Sequence, residues 1–317
     1  MMQYLVILLD DTSVSYCHYE NTKMEKQLIS LENLQAGILF AMKQNLIIQF
    51  VYPDYDLPEA YKKVIENIDN TKIVSALGTE KNADVVVFNG WGNLTDYDFS
   101  QSEEKAFVIR TSKTALFENH KKAIAILDKI TRLNIVIIDV ERFKDDDFEQ
   151  YENVLNKLKT AVKEVCEKGK FPQLNLLTDR ILLDKMNNCN AGIENITLAP
   201  NGKFYICPAF YFENESDFVG ELSSGVNIKN KQLYTLEYAP ICRKCDAYQC
   251  KRCVWLNRKT TMEVNTPSHE QCVITHLERN ASRELLNDLH LYDAFLDNEI
   301  ETIDYLDPFE KTNEYNF

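Results

Sequence analysis

The chain has 317 residues, 45% hydrophobic and 26% charged, the balance of a soluble globular protein with room for one large domain or two ordinary ones. Its net charge of −14 argues against DNA or RNA as the main partner, because phosphate binding needs clustered Lys and Arg. The opening MMQYLVILLDD has no basic leader and its apolar run stops at Asp10, and no stretch approaches the roughly 18 unbroken apolar residues of a membrane span. A cytoplasmic location is therefore expected, where disulfides are uncommon, and the nine cysteines read as ligands more than cross-links.

The first half alternates short apolar runs with amphipathic stretches. YLVILLD (4–10) reads as a buried strand, SLENLQAGILFAMKQN (30–45) as a helix with Gly37 at a close-packing position, LIIQFVYP (46–53) as a strand and LPEAYKKVIENI (57–68) as a helix. KIVSAL, ADVVVFNG and AFVIRTS supply three more β-rich runs. A helix over 114–133, a strand over 134–140, a long helix over 147–169 ended by Gly169, and QLNLLTD (173–179) close the series. Continuous Val/Ile/Leu strands alternating with helices predict a parallel sheet covered by helices, and five to seven strands predict a partial barrel or open sheet.

After about residue 185 the texture becomes turn-rich. ENITLAP, Asn201-Gly202 and KFYIC form a predicted hairpin, and helix is expected again over 276–296, before an acidic, aromatic tail. Seven of the nine cysteines fall between 189 and 272: Cys189, Cys207, Cys242, Cys245, Cys250, Cys253 and Cys272. Paired CxxC spacing brings two thiolates of one turn to a common metal, and soft sulfur selects Zn or Fe–S. On ICRKCDAYQCKRCV (241–254) alone zinc would lead, but seven thiols exceed one tetrahedral ion and suit two centres, of four and three cysteines.

The order of these motifs resembles the SPASM domain, the C-terminal extension of many radical SAM enzymes that modify peptides and proteins. Gly202 and Cys207 form its G-x4-C, followed by a gap, two Cys pairs and a lone Cys272, with the inner spacings each one residue short of the usual C-x2-C-x5-C-x3-C. The resemblance implies two [4Fe–4S] clusters, with zinc as the alternative metal. Cys242, Cys245, Cys250 and Cys272 would hold one cluster, and Cys189, Cys207 and Cys253 the other. The family's fourth cysteine, expected just before Cys189, is missing; Asp184 is the nearby oxygen ligand, or that iron is open, water-bound or held by another group.

The first βα loop of a radical SAM enzyme carries C-x3-C-x2-C. Here, counting back from Cys17, those positions hold Val14 and Asp10, and Val51-Tyr52-Pro53-Asp54 stands where a glycine-rich turn would approach the cofactor. The first half thus resembles a radical SAM partial barrel without its cofactor site. No S-adenosylmethionine is expected, and Cys17 stays outside both ligand sets as a remnant, or as a thiol activated by His18. The whole is similar to the pseudo-radical SAM proteins of the CXXX repeat peptide maturase family.

Three parts are implied: a degenerate barrel over 1–185, a SPASM-like module over 186–275, and a C-terminal helix and tail over 276–317. The expected function is binding or modification of a ribosomally made, cysteine-containing precursor peptide, with a partner enzyme or electron donor. The alternatives are an enzyme using the open iron of the three-cysteine cluster and a structural zinc scaffold. No catalytic residue is assigned, since the five histidines form no HExxH and no phosphate loop exists. Asp145, Asp146, Asp147, Glu213, Glu215, Asp217 and Glu221 are acidic candidates for attracting a basic leader.

Overall fold

The computed structural model describes residues 2–80, 82–100, 102, 104–186 and 189–289. Seven strands, β1 (Tyr4–Leu8), β2 (Ile47–Val51), β3 (Asn70–Ser75), β4 (Val85–Asn89), β5 (Ala106–Thr111), β6 (Arg132–Ile137) and β7 (Gln173–Leu174), lie side by side in chain order, each parallel to the next. With the right-handed crossover usual for parallel strands, an order that only advances puts the helices on one face and bends the sheet toward a barrel. The sheet does not close. Beyond β1 it continues with β8 (Asn195–Leu198), parallel to β1, and then antiparallel β9 (Lys203–Tyr205), β10 (Gly220–Glu221) and β11 (Gly225–Val226). The predicted hairpin is β8–β9, turning at Gly202 with φ +76°. It is an extension of the barrel's own sheet.

Four helices accompany the parallel strands: α1 (Leu31–Gln44), α2 (Glu59–Glu66), α3 (Lys113–Ile124) and α4 (Asp145–Glu167). Ser30 caps α1 by accepting from the Asn33 amide. Gly37 sits where an added Cβ would come within 2.4 Å of Leu198 Cδ2, so its lack of a side chain lets α1 lie close on β8. α3 stops at Ile124 instead of reaching 133. Ile126 and Leu127 remain buried in turns and Ile130 in the irregular segment after them, and Arg132 already starts β6, so their helix-like spacing reflects burial without helix. β7 is two residues long because Asn175 takes over, its side chain bonding both the amide and the carbonyl of Ile135.

The remaining helices are α5 (Asp179–Leu182), α6 (Pro208–Glu213), α7 (Val254–Thr261) and α8 (His269–Leu289). α8 starts seven residues before the expected 276, because Ser268 caps it by accepting from the Gln271 amide at 3.3 Å. Residues 290–296 of the expected helix and the acidic tail lie outside the described residues. α8 packs along α4, where Tyr151 donates to Glu278 at 2.7 Å and Lys159 pairs with Glu284. One apolar core runs from the parallel strands through Phe204, Tyr205, Trp255 and Leu285. A second, small cluster holds only Met186, Ala239, Cys242 and Cys250.

Candidate metal centres

The nine cysteines form no disulfide among the described residues, and eight of them ring two cavities. Cys242, Cys245, Cys250 and Cys272 line one of about 300 Å³, together with Met186 and His276. Cys242 opens a short 3-10 turn and Cys245 follows it; Cys250 comes one turn later. Cys272 is on α8, one turn before His276, so both face the same cavity, and His276 Nε2 lies 3.5 Å from Cys245 Sγ.

Cys189, Cys207 and Cys253 line a second cavity of about 560 Å³, and Cys17 lines it with them. Cys189 precedes β8 and is held by Asn195, whose side chain donates to its carbonyl. Cys207 follows β9 and precedes α6, and Cys253 precedes α7. Across the cavity stand Tyr4 and Val6 of β1 and Gln49 of β2, Val6 and Gln49 being register partners. The second cysteine set therefore faces the inner side of the partial barrel.

Five cysteines have the backbone N–H two residues ahead directed at their sulfur. Ala247 donates to Cys245 at 3.4 Å and Arg252 to Cys250 at 3.4 Å; the pattern repeats at Cys189 with Ala191, Cys207 with Ala209 and Cys253 with Trp255. Such donors favour the thiolate over the thiol. Arg252 adopts a left-handed backbone, φ +42°, to make this turn, its guanidinium held by the Tyr234 carbonyl at 2.6 Å. Burial works the other way. It pushes Cys250 up to about 11 and Cys272 and Cys253 up to about 12, and neighbouring thiols add to the rise at all three. A bound cation would relieve both effects.

Both donor sets are soft thiolates gathered around a cavity, the chemistry that holds zinc or an iron–sulfur cluster. Thiolates around one zinc stand about 3.8 Å apart, given a Zn–S bond of about 2.3 Å in a tetrahedron. Among the described residues no three His, Cys, Asp or Glu side chains converge on one ion position. The cavities exceed by far the roughly 10–15 Å³ that holds one water. Cys166, in α4, lines neither cavity.

The loop after β1 is tightly held. Asp10 is fully buried, and its carboxylate accepts from the Thr12 amide at 2.8 Å and Tyr55 hydroxyl at 2.7 Å. The carbonyls of Val51 and Tyr52 accept from Ser13 Oγ and the Val14 amide, so the turn after β2 serves to bind this loop. Buried Arg110 of β5 donates to the carbonyls of Cys17 at 2.8 Å and Tyr19 at 2.5 Å. His18 Nδ1 meets the Ile137 carbonyl at 2.9 Å. Burial and the Lys251 charge lower His18 to about 4, leaving it neutral, and burial raises Cys17 to about 11. His18 therefore does not activate this thiol.

Asp184 is exposed and lines neither cavity. The acidic candidates are largely used internally. Asp147 pairs with Lys113, Glu213 and Asp217 with Arg258, and Glu215 with Lys23. Cys17, His276, Met186 and Arg110 are site residues that sequence reading did not place here. The signal for Cys17 was its CHY context after the first strand; the other three have none at the level of sequence.

No protein-family model matches this chain, and no curated protein matches it. Solved structures do. "Native anSMEcpe with bound AdoMet", an anaerobic sulfatase-maturating radical SAM enzyme, superposes with a TM-score of 0.64 at 14% identity, covering 91% of this chain and 99% of the other. "Native anSMEcpe with bound AdoMet and Cp18Cys peptide" gives 0.63 at 14% identity, again covering 91% and 99%. The chain has a radical SAM-like fold along nearly its whole length.

Proposed function

We propose that this protein is an iron–sulfur protein of peptide maturation, built as a radical SAM-like partial barrel that does not cleave S-adenosylmethionine, followed by a SPASM-like module. The observation that carries the reading is the division of the cysteines into two sets around two cavities, with backbone N–H groups aimed at their sulfurs. Cys242, Cys245, Cys250 and Cys272 hold one [4Fe–4S] cluster; Cys189, Cys207 and Cys253 contribute to the other. Such clusters supply one-electron transfer when bound.

The first βα loop supports the absence of cofactor cleavage. A cluster open to S-adenosylmethionine needs several thiolates, and this loop offers Cys17 alone, beside a half-buried Val14 and an Asp10 whose carboxylate is engaged by Thr12 and Tyr55. Solved neighbours that carry a bound peptide support a peptide as the partner. The inner face of the partial barrel supplies the surface, and a partner enzyme or donor supplies or takes the electrons.

The test is iron, acid-labile sulfide and zinc per chain on protein purified without oxygen. About eight irons and eight sulfides are expected. Two zincs without sulfide would reduce the module to a structural clamp. Incubation with S-adenosylmethionine and a strong reductant is expected to yield no 5′-deoxyadenosine; its formation by the isolated protein would refute the loss of that activity.

A further inference from the structure

We propose that Cys17 is the fourth thiolate of the centre formed by Cys189, Cys207 and Cys253, so that the loop leaving the first strand ligates a centre otherwise supplied from the C-terminal half. The inference rests on the reading that these thiols hold a metal centre, and it departs from the expectation that Cys17 is a remnant outside both sets.

The topology makes the juxtaposition. β8 pairs with β1 in parallel, Tyr4 opposite Asn195, which sets Cys189 before β8 and Cys207 after antiparallel β9 beside the start of β1. The loop after β1 leaves from the other end of that strand, and its residues 16–19 line the cavity that those two cysteines line. Cys253 reaches the same cavity from the start of α7. The electrostatic influence of Cys189 on Cys17, of Cys253, Cys189 and Cys17 on Cys207, and of Cys189 and Cys17 on Cys253 repeats this grouping.

The position of Cys17 is set by contacts of the 17–19 segment with β5 and β6. Arg110 grips the carbonyls of Cys17 and Tyr19, and His18 is fixed on the Ile137 carbonyl. A ligand held by two barrel strands loses little further freedom when it binds. Rival donors are weaker. Asp184 is exposed and outside the cavity, and His18 and Glu194, which do line it, offer at most the imidazole Nε2 left when Nδ1 meets the Ile137 carbonyl and a carboxylate, both harder donors than a thiolate.

Two consequences follow. With four thiolates no iron of this centre keeps an open position, so it does not bind substrate as a Lewis acid and is left to electron transfer or cross-linking. The centre also ties the barrel to the cysteine-rich segment, so that losing it loosens the loop after β1.

The test compares wild type with Cys17→Ala, Cys17→Ser, Glu194→Gln and Cys166→Ala, all purified without oxygen. Metal and sulfide are counted per chain, and iodoacetamide labelling of Cys17 is mapped by mass spectrometry before and after chelator stripping. In wild type Cys17 is expected to resist labelling until stripped. Both Cys17 variants are expected to fall from about eight irons to between about four and seven, while Glu194→Gln and Cys166→Ala keep the wild-type content. If the metal is zinc, about one of two zincs is expected to go. Labelling of Cys17 in the loaded wild-type protein would overturn the proposal without requiring any variant to fold. Wild-type metal content in folded Cys17→Ala would overturn it alone; wild type that takes up neither iron nor zinc would overturn the underlying reading as well.

Discussion

Arg110 is a cation 3% exposed, and it spends its donors on the Cys17 and Tyr19 carbonyls and the Asn89 side chain. Arg110→Ala leaves those acceptors buried without a donor, and a loss of about 2–4 kcal/mol in urea unfolding is expected, with lower metal content at the Cys189 centre. Arg110→Lys keeps the charge without the fork and should recover only part of this. Glu278 gives a pH signature. Burial, opposed by hydrogen bonds from Tyr151 and Gln249, holds its carboxyl up to about 7. The folded state thus keeps a proton that the unfolded chain releases near its ordinary carboxylate pKa. That contribution to stability is full below the ordinary value and is lost as pH rises through about 7, on the order of 1–3 kcal/mol. Glu278→Gln is expected to flatten the difference between urea midpoints measured at about pH 5 and about pH 8.

At the scale of elements, the chain from 236 to 250 has almost no core of its own. Its small cluster is Met186, Ala239 and two thiols, Cys242 and Cys250, with Leu236, Cys245 and Tyr248 at the edge. Under the proposed function, ligand bonds take the place of apolar burial there. Cys250→Ala is expected to release that centre's metal and to remove amide-exchange protection over 236–250, with β4, β5 and β6 unchanged; hydrogen exchange reads both. The ends of elements also show how far sequence carries. β1, β2, α1 and α4 were legible because their periodicity is strong and their caps are local, as at Ser30. The end of α3 was not, because Ile126, Leu127 and Ile130 repeat at helical spacing yet are buried outside any helix. The start of α8 was missed because its cap, Ser268, follows Pro267 in a stretch with little apolar pattern, and that shift puts Cys272 inside the helix.

For the whole molecule, the core is continuous from the parallel strands to α8, whereas the cluster of Met186, Ala239, Cys242 and Cys250 is small, so under the proposed function the small cluster is the part expected to need metal. Stripping both centres with a chelator is therefore expected to split thermal unfolding into two transitions, the earlier one from the cysteine-rich segment, and restoring the centres should merge them again. Sequence alone determined the alternation of strands and helices, the parallel character of the sheet and the clustering of seven cysteines, since each is written in spacings of a few residues. It did not determine which thiols meet. Cys17 and Cys189 lie far apart in the chain and line one cavity because β8 adds to the free edge of β1, placing Cys189, while β5 and β6 hold the loop of Cys17 through Arg110 and the Ile137 carbonyl. That pairing is a property of strand order, set by the packing of the entire sheet, and no local pattern encodes it.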